Sequence, residues 1–240
     1  MPTLQQWIQG IRNRALHYGG AYVPFSQCLE PTNTLIKTMD ATSGGICRAL
    51  AAKWIVEHSR GESLWNWLCV PGTTHVKQSA IGNLMVNFIE GVRSSGSLSN
   101  PTVANPGNLG GGHYQNLVMQ KYLGMYNLLK RNITQDIVTG IQQRAPGINV
   151  GHSIANRLSP QWMATRSGTY VHLYTGGGGS AHSTAAWVGT GDIAFFDPNF
   201  GEFYFTDYGN FRKFFVDFWQ MSGYVKNWGT FWLEAYAQKV

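Results

Sequence analysis

The sequence predicts an α+β fold in which helices come first and an antiparallel sheet follows. In the first part of the chain, apolar residues recur every three or four positions, as on one face of a helix. From Gly168 onward the segments are short, strand-like and separated by glycine-rich turns. The composition is 43% hydrophobic, 13% aromatic and only 12% charged, which excludes intrinsic disorder, coiled coils and collagen. We expect residues 1–240 to form a single domain, with residues 1–40 as its N-terminal segment.

The first well-marked helix is predicted to follow Thr42–Gly45, a segment whose hydroxyls and glycines are typical of a helix start. It is expected to end at Arg60-Gly61. Between these points the apolar residues recur at helical spacing: Ile46, Leu50, Trp54 and Ile55. Cys47 therefore lies in the first turn of the predicted helix.

The middle of the chain is predicted to hold further helices, at about Val76–Val92, Tyr114–Arg131 and Thr134–Arg144. Residues 94–112 contain Asn-Pro and Gly-rich sequences with hardly any apolar side chain. This composition indicates a surface loop.

The last third is predicted to be an antiparallel meander followed by one helix. The helix spans about Asn210–Met221 and is capped by Asp207, and Thr230–Ala237 is expected to return as an edge strand. The meander strands are Thr169–Thr175, His182–Val188, Ile193–Asp197 and Glu202–Thr206.

Cys47 is the strongest candidate for a nucleophile. The positive end of the helix dipole and the unpaired amides of the first turn lower the pKa of a thiol there, and the thiolate is the reactive form. The same amides can stabilise an oxyanion, and Gly44 and Gly45 would let a substrate backbone approach closely. A small buried core thiol is the alternative interpretation, and it is the one expected for Cys28 and Cys69.

His182 and Asp197 supply a base and a carboxylate to orient it. If the hairpin turn has two residues or four (Gly189–Asp192), Thr184 faces Asp197, and Asp197 lies on the same side of the sheet as His182. Asp192 would point to the opposite face and lie farther away. The order Cys, His, Asp on a helix and two strands is typical of papain-like proteases.

Three blocks carry a resemblance to a known family: Gly44–Ile55, Ala181–Ser183 and Phe195–Phe203. They resemble the signature blocks of the YopT/AvrPphB cysteine proteases, papain-like enzymes that bacteria deliver into host cells. The resemblance covers the region around Cys47 and about Tyr170–Phe218.

The resemblance implies a cysteine endopeptidase that cleaves host proteins through a Cys47-His182-Asp197 triad and an acyl-thioester intermediate, with no cofactor and no metal. The family takes an oxyanion donor from a polar side chain a few residues before the cysteine. Thr42 and Ser43, with the Cys47 backbone N-H, are therefore the expected oxyanion hole. Substrate-binding residues would be Gly44, Gly45, Gly179 and Ser180. The N-terminal sequence has no pattern of a Sec-type leader, and the resemblance implies secretion by a bacterium without one and delivery into the host cell.

Two other functions share these residues. A papain-fold acyltransferase would pass the acyl group to lysines of host GTPases, and a non-catalytic binding protein would keep only the fold. Nucleic-acid binding is not expected, because the net charge of +6 is not concentrated on one patch. We expect a monomer whose contact with membranes, if any, is peripheral.

Three remaining motifs have ordinary interpretations. The segment Gly151–Ala155 approximates a nucleophile elbow but lacks a preceding strand of adequate length. The glycines Gly176–Gly179 join two strands and indicate a hairpin tip rather than a phosphate loop. His172 lies in mid-strand and is expected to be a hydrogen-bonded structural residue.

Overall fold

The computed structural model describes residues 3–94, 118–131, 138–139, 148–163, 168–177 and 180–239. The predicted surface loop at residues 94–112 lies outside these ranges except for its first residue. Within them no helix is long and apolar enough to cross a bilayer.

Among the described residues up to 124 helices predominate, and one short strand, β1 (Ala21–Val23), follows the first helix. Two helices predicted from apolar spacing, the one that begins near Cys47 and the one at about Val76–Val92, are both confirmed. The helices are α1 (Leu4–His17), α2 (Thr32–Ile36), α3 (Cys47–Ser59), α4 (Leu64–Leu68), α5 (Gln78–Ser94) and α6 (residues 118–124).

The rest of the chain supplies most of the strands and the remaining helices. The strands are β2 (Leu128–Lys130), β3 (Val138–Thr139), β4 (Thr169–Gly177), β5 (Ser180–Val188), β6 (Ile193–Asp197), β7 (Gly201–Phe205) and β8 (Thr230–Gln238). The helices are α7 (Ile148–Arg157), α8 (Pro160–Met163), α9 (Tyr208–Met221) and α10 (Tyr224–Asn227). The predicted α+β class is confirmed.

The described strands form one antiparallel sheet in the order β1-β7-β6-β5-β4-β8-β2, and β3 also pairs with β8. The prediction that β8 is an edge strand is therefore wrong. It pairs with β4 on one side and with β2 and β3 on the other.

Two of the predicted helices are also wrong in part. Helix α6 is followed by a turn at Asn127, whose φ of 61° ends helical geometry. The chain then enters β2, within the range predicted as helix. Val138–Thr139, predicted as helix, is strand β3; the rest of the predicted helix Thr134–Arg144 lies outside the described residues.

The sheet is covered on both faces. On one face α9 packs with α1 and α7, and it buries apolar side chains at intervals of three and four residues: Phe211, Phe214, Phe215 and Phe218. On the other face α3 packs against β5 and α5, with Leu50, Trp54 and Ile55 almost fully buried. Because α3 lies directly on β5, its first residue is held near the first residues of that strand.

Candidate active site

Cys47 is the first residue of α3 and is partly exposed. The backbone before it is built for a sharp entry: Gly45 has a φ of +110°, a conformation that residues with a side chain rarely adopt. Ile46 is the N-cap and has no capping side chain of its own. Its backbone N-H instead donates to Oε1 of Gln27 at 3.1 Å. The predicted start of the helix at Cys47 is confirmed.

His182 and Asp197 meet across the β5–β6 hairpin. Its turn has Gly189 N-H donating to the Asp192 carbonyl at 2.9 Å, and Ala185 pairs with Phe196. This is the register that the sequence predicts for a turn of two or four residues. His182 Nε2 donates to Asp197 Oδ1 at 2.9 Å, so the predicted contact is confirmed. The hydrogen bond occupies Nε2 and leaves Nδ1 for the Cys47 side.

The Cys47 thiol and the His182 imidazole form an electrostatic pair. Desolvation raises the pKa of Cys47, but hydrogen bonding and charge from His182, with the Ser183 backbone amide, outweigh it and lower the pKa. Burial likewise opposes charge on His182, yet Asp197 and Cys47 raise its pKa to about 10. These opposite shifts favour a thiolate beside an imidazolium, which is the reactive state of a cysteine nucleophile.

Asp197 is fully buried and accepts two further hydrogen bonds. The Asn199 backbone N-H donates to Oδ1 at 2.7 Å, and the Tyr224 hydroxyl donates to Oδ2 at 3.0 Å. Trp228 stacks on the His182 ring, with ring centroids 5.4 Å apart and an interplanar angle of 16°. These hydrogen bonds fix the orientation of the Asp197 carboxylate, and the stacked Trp228 ring shields the His182-Asp197 contact from water.

The two side chains predicted to complete an oxyanion hole are engaged elsewhere. Thr42 is fully buried and its hydroxyl donates to the Ile36 carbonyl at 2.7 Å, whereas the Ser43 hydroxyl donates to the Asp40 carbonyl at 2.8 Å. Gln27 lies in the corresponding place instead. Its amide is next to Gly45 and to the Ile46 N-H, immediately before Cys47.

Sequence reasoning missed Gln27 because this residue stands twenty residues before Cys47, whereas the donor was expected within a few residues of the cysteine. Its contact with the start of α3 is made only by the folded chain. The one local signal for Gln27 is its place in the polar segment Ser26-Gln27-Cys28. Few side chains between this segment and Cys47 carry an amide.

The residues predicted to bind substrate lie at two edges of the site. Gly44 is exposed, and a Cβ placed there would meet no atom within 4 Å. Ser180 is exposed at the start of β5, and its hydroxyl accepts from Trp228 Nε1 at 2.9 Å. Gly179 lies outside the described residues. Substrate contact by these residues stays a prediction.

The other sequence candidates are structural in this fold. Gly151–Ala155 lies inside α7, so the nucleophile-elbow interpretation has no strand-turn geometry to support it. His172 is buried in mid-strand, with Nε2 3.2 Å from the Ser183 hydroxyl, as predicted. Among the described residues, no group of three or more His, Cys, Asp or Glu side chains could hold a metal ion.

The three thiols should differ in reactivity. The sequence predicted small buried thiols at Cys28 and Cys69. Cys69 is buried, but the prediction is wrong for Cys28, which is exposed, and the pKa of both thiols is raised. Desolvation by the surrounding protein raises the pKa of Cys28, although the residue as a whole is exposed, and the Asp197 charge adds to the shift. Burial raises the pKa of Cys69. Only Cys47 has a lowered pKa.

We therefore expect iodoacetamide at about pH 6 to label Cys47 first, followed slowly by Cys28 and Cys69. Each unit of pKa difference changes the thiolate fraction about tenfold. Peptide mapping by mass spectrometry over time gives the three rates. His182→Ala should slow labelling of Cys47 alone. Faster labelling of Cys28 or Cys69, or a Cys47 rate that ignores His182→Ala, would contradict the ion pair.

Comparison with known proteins places the chain among related sequences. Residues 127–231 match the Peptidase_C58 family, described as Yersinia/Haemophilus virulence surface antigen. The chain is 29% identical over 229 residues to the cysteine protease YopT of Yersinia pseudotuberculosis, and 28% identical to that of Yersinia enterocolitica. Each alignment covers 92% of this chain and 65% of the relative, so the chain spans about 65% of their length.

A solved structure shares the fold. The avirulence protein AvrPphB of Pseudomonas superposes with a TM-score of 0.55 at 16% identity, covering 83% of this chain and 95% of AvrPphB. The predicted fold, a papain-like α+β arrangement, is confirmed by this likeness. The resemblance carried by the three sequence blocks is confirmed as well.

Proposed function

We propose, on the confirmed resemblance of this chain to the YopT/AvrPphB family, that it is a cysteine endopeptidase of the bacterial effector type which cleaves host proteins. The observation that carries the proposal is the triad geometry. Cys47 stands at a helix N-terminus beside His182, and His182 Nε2 is 2.9 Å from the buried Asp197. The assembled triad also argues against a protein that only binds.

In the first half of the reaction, the Cys47 thiolate attacks the scissile carbonyl carbon and forms a tetrahedral intermediate. The His182 imidazolium then gives its proton to the leaving amine as the C-N bond breaks. An acyl-thioester on Cys47 and a free amine result. Asp197 holds the Nε2-H of His182, which keeps Nδ1 directed at the reacting atoms.

The negative oxygen of the intermediate needs hydrogen-bond donors. Cys47 is the first residue of α3, so its backbone N-H has no acceptor within the helix. The Gln27 amide nitrogen is the second donor. Its hydrogen bond to Asn199 Oδ1 at 2.8 Å uses one of two hydrogens on Nε2, and the other serves the substrate oxygen.

In the second half, neutral His182 takes a proton from water, and the hydroxide attacks the thioester carbonyl. The thiolate leaves and the carboxylic product dissociates. An amine nucleophile in place of water would make the protein an acyltransferase. Secretion by a bacterium and delivery into a host cell are part of the same proposal, as is the absence of a cofactor.

The test is to incubate host-cell protein extracts with the wild-type protein and to map new protein termini by mass spectrometry. Cys47→Ala is the inactive comparison, and Cys69→Ala, which alters a cysteine outside the site, is the matched control. We expect new termini with the wild type and Cys69→Ala only. New termini that persist in Cys47→Ala would overturn the proposal. Acylated lysines without new termini would instead assign the acyltransferase activity.

A further inference from the structure

An unbroken chain of hydrogen bonds joins the orienting carboxylate to the proposed oxyanion donor. The Tyr224 hydroxyl donates to Asp197 Oδ2 at 3.0 Å, and Asn199 Nδ2 donates to the Tyr224 hydroxyl at 3.1 Å. Gln27 Nε2 donates to Asn199 Oδ1 at 2.8 Å, and the Ile46 N-H donates to Gln27 Oε1 at 3.1 Å. This series of hydrogen bonds therefore runs from Asp197 to Ile46, the residue immediately before Cys47.

The direction of each hydrogen bond is fixed from the Asp197 end. An ionised carboxylate only accepts, so the Tyr224 hydroxyl must give it its single hydrogen. That hydroxyl can then only accept from Asn199, whose NH2 group must face it. The Asn199 carbonyl oxygen therefore faces Gln27.

The same direction follows from the other end. The backbone N-H of Ile46 only donates, so the Gln27 carbonyl must face it and the Gln27 NH2 group must face Asn199. Side-chain amides are often ambiguous because oxygen and nitrogen look alike. Here both ends require the same orientation of Gln27 and Asn199, so the arrangement is determined by chemistry.

The residues on either side of Asn199 are shielded. Gln27 and Tyr224 are each 6% exposed and Asp197 is fully buried, whereas Asn199 itself is half-buried, so water competes little at the two ends of this series of hydrogen bonds. The Cys28 thiol donates to Asn199 Oδ1 as well, at 3.2 Å. That oxygen thus accepts two hydrogen bonds, and the Asn199 side chain is held from both sides.

We propose that Asn199 is a positioning residue that aligns the oxyanion hole with the triad. It holds one hydrogen of Gln27 Nε2, which directs the other toward the substrate oxygen. Its own backbone N-H binds Asp197 at 2.7 Å, so one residue sets both the donor for the oxyanion and the carboxylate behind His182. The inference rests on the proposed function, because it requires an acyl-transfer reaction at Cys47.

Two reactions of Cys47 separate this role from a general loss of structure. Hydrolysis of an activated ester such as p-nitrophenyl acetate passes through a tetrahedral oxyanion, whereas alkylation by iodoacetamide displaces iodide directly and forms none. A residue that positions the oxyanion donor affects the first reaction only. A residue that acts through the fold or the ion pair affects both.

The experiment compares Asn199→Leu with the wild type in both reactions. The substitution removes the side-chain amide but keeps the backbone N-H that binds Asp197, so the carboxylate behind His182 keeps this contact. We expect ester hydrolysis to fall about 10- to 100-fold, through kcat rather than KM, because displacement of a catalytic donor by about 1 Å costs this much. The alkylation rate of Cys47 should stay within about twofold. Asn13→Leu removes an exposed amide on α1, which hydrogen-bonds Gln9, and serves as the matched control. If Asn199→Leu does not fold, Asn199→Ala takes its place with the same expectations.

A double substitution makes the test sharper. Gln27→Ala should lower hydrolysis about 100- to 1,000-fold, as loss of one oxyanion donor does. Adding Asn199→Leu should then cost nothing more, because Asn199 acts through Gln27. Unchanged hydrolysis in Asn199→Leu, an equal loss of alkylation, or multiplied effects in the double variant would each overturn the inference. Failure of the proposed function would be seen separately, as ester hydrolysis by the wild type no faster than by Cys47→Ala.

Discussion

Replacing His182 by alanine should lower kcat for peptide-bond cleavage by about 10⁶-fold, the loss found when one member of a comparable triad is removed. His182 has two tasks. Its hydrogen bond and charge overcome the desolvation of Cys47 and lower the pKa of that thiol. Its proton is also the one that the leaving amine needs. Alanine removes both.

The two losses can be told apart by pH. Without the imidazolium, desolvation should leave the pKa of Cys47 above its ordinary value, so alkylation at about pH 6 is lost and returns only in alkaline solution. Cleavage should not return with it, because an amine leaves poorly without a proton donor. Rates of both reactions are measured across pH on the same samples. Recovery of cleavage at high pH would show that His182 is not the proton donor.

His152→Ala is the matched control, since His152 is exposed on α7. It also tests the discarded elbow motif, of which His152 is part. We expect its kcat to stay within about twofold of the wild type, as for most surface substitutions.

The parts of the site that could be predicted from the sequence are those fixed by local rules. Helical spacing after Gly44-Gly45 puts Cys47 at the start of α3 without any knowledge of tertiary contacts. Hairpin register likewise fixes which side of the sheet Asp197 shares with His182. The start of the helix and the face of the sheet depend only on neighbours along the chain or across one turn.

The parts that could not be predicted depend on contacts between distant segments. Gln27 reaches the start of α3 only because β1 pairs with β7 and its following segment runs beside Asn199. The strand β8 looked like an edge because its second neighbour, β2, lies in a stretch with helical apolar spacing. There the positive φ of Asn127 and pairing with β8 override the local preference for helix.

Asp197→Ala should lower kcat by about 10⁴-fold, whereas Asp192→Ala should change it by no more than about twofold. Asp197 accepts from His182 Nε2 and so sets both the orientation and the tautomer of the ring. Asp192, at the far end of the same hairpin, accepts from the Tyr204 hydroxyl instead. Cleavage kinetics of the two variants measure the difference, and the reverse pattern would refute the assignment.

Folding must be checked in this comparison because Asp197 is buried. Its removal leaves the Asn199 N-H and the Tyr224 hydroxyl without their acceptor, at about 1–3 kcal/mol for each unsatisfied group. Thermal unfolding of each variant gives the folded fraction at the assay temperature. The rate is then expressed per folded molecule.

Asp197→Asn separates orientation from charge. An asparagine oxygen can still accept from Nε2, as in proteases that use a Cys-His-Asn triad, so kcat should fall less than with alanine. The negative charge is lost, however, and that charge is the main influence raising the pKa of His182 to about 10 against burial. A lower His182 pKa means that the imidazolium loses its proton at lower pH. The alkaline limb of the rate profile should therefore move to lower pH in Asp197→Asn and stay in place in Asp192→Asn; a limb that does not move, or moves equally in both, would show that the Asp197 charge does not hold the proton on His182.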